Sequence, residues 1–317
     1  MEKIRIGISS CLLGEKVRYD GQHKRDSYIT DTLSRWLELV PVCPEFELGL
    51  GVPREAMRLE GDPDKPRLMT IKTRKDLTEP MQKWCDQRVQ ALAEENLCGF
   101  IFKSKSPSSG MERVKVYPKG GGMAVKNGIG LFARTFMEYF PNLPVEEEGR
   151  LHDAGLRENF IERLFTLKRW REMLADDCTR GGLVKFHERH KYLLMAHSIP
   201  LYRELGRIVA DMKGRNLHLV QAEYNEKMMQ ALKLRATTRK HVNVLQHMAG
   251  YFKKQLDRDE KQELQEVIES YHAGHVPLIV PVTIINHYVR KYREPYLSKQ
   301  YYLNPQPIEL QLRNHVY

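Results

Sequence analysis

The chain has 317 residues, 41% hydrophobic and 29% charged, with a formal net charge of +10. That is enough apolar material for a sizeable core, and the length suggests two domains of an ordinary soluble globular protein. Five cysteines at the irregular positions 11, 43, 85, 98 and 178 exclude the paired framework of a secreted disulfide scaffold and leave reduced thiols or metal ligands.

The N-terminus "MEKIRIGISS" alternates like a strand and lacks a signal-peptide core. "KIRIGIS" reads as a first strand, "SYITDTLSRWLEL" as a helix, "VPVCP" as a short second strand and "LTEPMQKWCDQRVQALAEEN" as a long helix. "CGFIF" reads as a third strand, "GIGLFARTFMEYF" as a helix and "LPVEEE" as a last strand. Such alternation predicts an α/β domain over residues 1–150 with a parallel sheet, doubly wound in the flavodoxin or Rossmann manner. From 151 to 317 the texture is helical. In "LRENFIERLFTLKRWREML", Leu156, Phe160, Ile161, Leu164, Phe165 and Trp170 recur at helical spacing, Ser198 with Pro200 marks a helix start and Gly274 a stop. An all-α bundle of five or six helices is expected. The longest apolar run, "VPLIVPVTII", is too short and too broken by proline to span a bilayer, so a cytoplasmic location without membrane partners is expected.

Ligands of parallel sheets collect beyond the carboxyl ends of the strands. There the three strands lead into "SSCLLGEKVRYDG", "CPEFELGLGVPR" and "KSKSPSSG", so strand order brings Cys11, Cys43 and Ser106 to Ser109 to one edge, with Glu45. A cysteine at a strand end is also a small buried hydrophobe, and two thiols alone are a weak metal signal. Glu45 serves equally as a turn cap or a partner of Arg54. Asp20 fits an Asx-turn before Gly21 as well as a substrate contact. Cys85, Cys98 and Cys178 read as structural.

The strings "CLLGEKVRYDG", "VCPEFELGLGVPR" and "FKSKSPSSGMERVKVY" resemble the bacterial thiouracil desulfurase family. "LVKFHERHKYLLMAHS" and "YLNPQPIELQLRNHV" resemble the helical domain often fused behind it, and the two-domain arrangement resembles that of tRNA 4-thiouridine desulfidases. The resemblance implies a 4Fe-4S cluster on three cysteines with one iron left open to polarise a C=S bond and accept sulfide without net redox change. Cys11 and Cys43 match two of these cysteines, but the family's "SPSCG" is "SPSSG" here. Ser109 stands at the third place, and a hydroxyl is a harder, less acidic donor than a thiol. The resemblance therefore implies a desulfidase whose cluster is absent or unstable and whose activity is impaired at position 109, as in an inactive Cys-to-Ser variant; the alternatives are a serine ligand or recruitment of Cys98. It also implies Glu45 as the base that activates water, with Ser106 in a supporting catalytic role; Asp20 is expected to orient the substrate or to hold the Cys11 loop.

Residues 1–150 hold 24 Lys and Arg against 22 Asp and Glu, which leaves 27 against 19 and most of the charge to the second half. "KLRATTRKHV" supplies Arg235, Arg239 and Lys240, and "HYVRKYREPY" supplies Arg290, Lys291 and Arg293 among tyrosines. Cations on phosphates and rings on unpaired bases suit RNA, although tyrosines at helical spacing also make a core. With Lys103 beside the site, these are the expected RNA contacts. His187, His190 and His197 fit packing or RNA better than a metal site. The expected function is conversion of 4-thiouridine in tRNA to uridine by a monomer or homodimer. The alternatives are desulfuration of free thiobases and RNA binding without catalysis.

Overall fold

The computed structural model describes residues 2–119 and 122–316, which fall into two compact units, Met1–Asp153 and Ala154–Tyr317. In the first unit, β1 (Ile4–Ser9) lies between β2 (Leu37–Val42) and the short third strand of the same sheet, Phe100–Phe102. Val145–Glu147 closes the other edge, and every pairing is parallel. The expected α/β fold is thus found. Ile4, Ile6 and Ile8 are buried, as a strand covered on its faces requires. Gly7 is glycine because a Cβ there would lie 2.3 Å from the Phe100 ring.

A second sheet was not expected from the sequence. It runs β4–β3–β6–β7, from β3 (Met57–Asp62), β4 (Lys65–Thr70), β6 (Val114–Tyr117) and β7 (Val125–Gly128), so the strands Phe100–Phe102 and Val145–Glu147 are β5 and β8. β3 pairs antiparallel with β4 and parallel with β6, while β6 and β7 form a hairpin. Among the described residues, three α-helices belong to this unit: α1 (Pro44–Glu47), α2 (Thr78–Glu94) and α3 (Leu131–Tyr139). Phe100 and Phe102 of β5 meet Phe132 and Phe136 of α3 with ring centroids 4.8 to 6.1 Å apart, which fixes α3 against the first sheet.

The helix expected over "SYITDTLSRWLEL" does not form as such. Residues 28–35 make a π-turn and a 3-10 turn, and Leu37 to Leu39 belong to β2. The Thr30 and Ser34 hydroxyls donate to the carbonyls of Asp26 and Thr30, a side-chain competition that loosens regular helix.

The second unit contains seven helices among the described residues rather than five or six. They are α4 (Ala154–Asp176), α5 (Arg180–His197), α6 (Ile199–Ala210), α7 (Leu217–Lys233), α8 (Thr238–Ala249), α9 (Arg258–His272) and α10 (Ile279–Lys291). The division came out short because breaks such as Ser198, whose hydroxyl caps α6 one residue after α5 ends, leave no loop to read. Inside this unit Arg313 reaches Glu158 at 3.3 Å and Glu162 at 3.4 Å, and His197 Nε2 lies 2.6 Å from Glu162. Burial pushes Glu158 up, whereas His197 and Arg313 outweigh burial at Glu162 and hold it below the carboxylate range.

Burial also lowers His187 to about 4, His241 to about 3 and His190 well below its ordinary value. The unfolded chain takes protons on these rings near pH 6.5 that the folded chain refuses, so their contribution is present above that pH and lost as pH falls toward 4. Glu158 acts with the opposite sign, one group against three. Amide exchange in α5 and α8 is expected to be markedly faster at pH 5 than at pH 7.5 after correction for intrinsic rates. Equal or greater protection at pH 5 would contradict this sign.

Candidate active site

The carboxyl ends of β1, β2 and β5 open into a cavity of about 450 Å³ lined by Cys11, Cys43, Glu45, Lys103, Ser106 and Ser109, together with Arg18 and Arg54. Cys11 sits in the turn Ser10–Leu13 directly after β1, and Cys43 caps α1 directly after β2. Strand order therefore does bring the three loops together. Both thiols are buried. Burial raises Cys11 to about 11 against the pull of Lys103, and burial with the Glu45 carboxylate raises Cys43 to about 12. A bound cation would reverse that, because a metal-coordinated thiol is deprotonated.

Glu45 is 8% exposed and held from three sides. The Ser108 hydroxyl donates to Oε1 at 2.6 Å, the Cys43 thiol donates to Oε2 at 3.7 Å, and Arg54 Nη2 stands 3.7 Å from Oε2. Cap and ion-pair partner were the alternatives at this residue, and the Arg54 contact exists alongside the cavity position. Arg54 in turn donates to the Val17 carbonyl at 2.8 Å, tying the Cys11 loop to α1.

The serine loop is a compact turn. Ser106 Oγ accepts the backbone N–H of Ser108 at 3.3 Å and of Ser109 at 3.1 Å, and Gly110 N–H donates to the Ser106 carbonyl at 2.9 Å. Ser106 thus shapes the turn while lining the cavity. The serine in contact with Glu45 is Ser108, which is fully buried and which sequence reasoning passed over. Ser109 is 3% exposed, its hydroxyl 3.5 Å from that of Ser108.

Two devices hold this loop. The first turn of α3 binds it from beneath, with Leu131 N–H on the Pro107 carbonyl at 3.2 Å and Ala133 N–H on that of Ser108 at 3.1 Å. Gly130 allows the approach, since a Cβ there would stand 2.5 Å from the Ser108 backbone. From the side, glutamates at the end of β8 clamp both ends of the loop. Glu148 takes the Lys103 ammonium at 2.5 Å and the Ser104 N–H at 2.7 Å, and Glu147 takes the Met111 N–H at 2.8 Å. Burial works against the Glu148 charge, but Lys103 and Ser104 keep its carboxyl below the ordinary range, while burial pushes Glu147 up. The signal was the run "VEEE", in which a strand ending in three carboxylates needs donors nearby.

Other expected residues are placed differently. Asp20 is exposed and does not line the cavity. It accepts the Gln22 N–H at 3.1 Å in an Asx-turn and holds Arg18, which does line the cavity, at 3.3 Å. The structure thus gives Asp20 the Asx-turn and a hold on Arg18, outside the lining of the cavity. Among the expected RNA contacts, Lys103 is paired with Glu148, Lys291 with Glu260 at 2.6 Å, and Lys240 donates to the His197 and Arg235 carbonyls at 2.7 and 3.1 Å. Arg239, Arg290 and Arg293 are exposed, as is Arg235, whereas Tyr288 belongs to the core. His187 bonds Tyr224, His190 stacks between Phe186 and Tyr301, and His197 faces Glu162. Among the described residues, no three His, Cys, Asp or Glu side chains are gathered in a metal-holding group.

Two thiols and a buried glutamate thus lie together at the carboxyl edge of a parallel sheet. A family model described as 2-thiouracil desulfurase matches residues 6–148, and one described as a protein of unknown function, DUF1722, matches residues 191–307. The chain belongs to the 2-thiouracil desulfurase family, with a DUF1722 region behind the desulfurase domain. It is 37% identical over 158 residues to the uncharacterized protein YbgA of Escherichia coli (strain K12), covering 50% of this chain and 94% of that one. It is 29% identical over 110 residues to the uncharacterized protein YbbK of Bacillus subtilis (strain 168), covering 33% of this chain and 72% of that one. A solved structure of the 4Fe-4S-dependent thiouracil desulfidase TudS is 26% identical, with a TM-score of 0.40, over 48% of this chain and 95% of that one.

Proposed function

We propose that this chain replaces the sulfur of a thiocarbonyl pyrimidine by oxygen, that its substrate is 4-thiouridine within tRNA, and that Ser109 holds the activity down. The observation that carries the reading is Glu45, a buried carboxylate that lines the cavity, its Oε1 fixed by Ser108 and its Oε2 met by Cys43. A pocket of about 450 Å³ suits a single base.

TudS is named as 4Fe-4S-dependent, which makes a cluster the group to test against these donors. Cys11 and Cys43 fit it, lying in one cavity with Lys103 and Arg18 beside them to offset negative charge. Ser109 does not fit, because its hydroxyl keeps its proton where a thiol would ionise and binds soft iron-sulfur iron poorly. The donor set is one thiolate short, so the steps assigned here rest on the chain's own side chains.

A water molecule held at Glu45 Oε2 would give its proton to the carboxylate as its oxygen attacks the thiocarbonyl carbon. The C=S π electrons pass to sulfur. Collapse then re-forms a C=O bond and expels the sulfur, which leaves as hydrogen sulfide with the protons that water brought. Arg54 balances Glu45 from the side opposite Ser108. The basic surface of the chain supports a polyanionic substrate.

The test is nucleoside analysis of 4-thiouridine-containing tRNA and of free 2-thiouracil after treatment with the native chain, Ser109→Cys and Ser109→Cys/Glu45→Gln. The Ser109→Cys variant is expected to convert tRNA 4-thiouridine to uridine, and removal of the Glu45 base to slow it by roughly 10² to 10⁴. Consumption of free thiouracil with tRNA untouched would keep the sulfur chemistry and remove tRNA as the substrate.

A further inference from the structure

Over β3 and β6 the second sheet has one apolar and one charged face. Leu59, Val114 and Val116 are buried on the inner side, so the alternation of a strand puts Arg58, Glu60, Lys115 and Tyr117 on the other. The register aligns them in a row. Leu59 pairs with Val116, which sets Arg58 beside Lys115, and Lys115 pairs directly with Lys126 across the β6–β7 hairpin.

Two lysines opposite one another on neighbouring strands repel, and such a pair destabilises a hairpin. Both are exposed, and among the described residues no carboxylate accepts either ammonium. The face has one buried carboxylate to offer, Glu60, and Arg58 and Arg74 already occupy it. The Arg58 guanidinium lies 4.5 Å over the Tyr117 ring, which leaves a flat cationic and aromatic platform beside the lysines. Met57, the residue before Arg58, lines the Cys11–Cys43 cavity, and Val114, the residue before Lys115, follows the serine loop by four positions. The row therefore crosses the sheet near the first residues of β3 and β6, one residue along the chain from the cavity-lining Met57.

We propose that this outward face is the surface that holds the RNA backbone of the substrate, with Lys115 and Lys126 on successive phosphates while the thiolated base enters the cavity over the sheet edge. The proposal rests on the tRNA reading and assigns the grip to the desulfurase unit itself. Unpaired like charges that cost the free protein stability are explained by a polyanion that neutralises them. Of the cations expected in the helical unit, Lys240 and Lys291 are already engaged, and the exposed Arg239 and Arg290 serve as the comparison in the test.

The test is fluorescence anisotropy of the full chain with labelled unmodified tRNA over a range of salt. Lys115→Gln/Lys126→Gln is expected to weaken binding roughly tenfold and to make the slope of log affinity against log salt shallower by about 1.8, two phosphate contacts' worth. Its melting temperature should stay level or rise as the repulsion is relieved, whereas a structural role for the pair would lower it. Arg239→Gln/Arg290→Gln should stay within about twofold of the native chain. If the lysine variant binds like the native chain, the face is not the RNA surface even though tRNA remains a ligand. If the native chain shows no salt-dependent affinity for tRNA, the face and the tRNA substrate fall together, while thiouracil turnover stands as a separate measurement.

Discussion

After anaerobic reconstitution with iron and sulfide, Ser109→Cys is expected to hold close to four irons per chain with the broad visible absorption of a cluster, while the native chain retains a small fraction of that. The geometry makes this a one-atom experiment. Ser109 is 3% exposed, and its backbone N–H is fixed by Ser106, so a cysteine would inherit a set position in the cavity that Cys11 and Cys43 line. The turn is fastened by α3 and β8 without using the Ser109 side chain, so the exchange should leave the melting temperature within a few degrees, about 1 kcal/mol or less. Iron content by chemical assay and absorbance decide the matter independently of turnover. Equal, stoichiometric iron in both proteins would show that the hydroxyl serves as a ligand and would remove the reason for calling this site impaired.

Arg313→Met is expected to destabilise the helical unit by about 3–5 kcal/mol, because it strips the counter-charge from two buried carboxylates and leaves the ion set uncompensated. Arg313 is 5% exposed, bonds the Tyr302 carbonyl at 2.6 Å, and carries the C-terminal segment onto Glu158 and Glu162 of α4. A loss of that size is a large share of the whole stability of a domain. Urea titration followed in the helical unit measures it, and Glu158→Gln/Arg313→Met should recover part of the loss, since one of the stranded charges is then gone. A cost below about 1 kcal/mol for the single change would mean that water enters the cluster when Arg313 leaves.

How much of this could be read from the residues depends on how each element is held. β1, β2 and β5 are short apolar runs followed at once by loops with special residues, and the convergence of Cys11, Cys43 and the serine loop followed from strand order alone. The second sheet escaped notice because its defining pairing, β3 with β6, joins residues more than fifty positions apart, and because β7 has three exposed residues in four and no apolar face to signal a strand. The turns at 28–35 carry helix-like spacing, yet their hydroxyls bond back to the chain. Glu45 was found through its place after Cys43. Ser108 was not, since four serines in a loop look alike until one is seen to be fully buried against a carboxylate. The glutamates after β8 read as a polar strand end, and only the fold shows that they face a loop some forty residues earlier.

The three positions expected from the resemblance to carry ligands, 11, 43 and 109, lie on different loops, and the third loop is fastened at its ends by Glu147 and Glu148. No shorter peptide contains the site. During synthesis the chain must therefore leave the ribosome past residue 148 before the serine loop has its final shape, since domains assemble as units once their strands are present. A truncation that spares all three positions but removes β8 and Glu148 would take away the carboxylates that hold both ends of the serine loop.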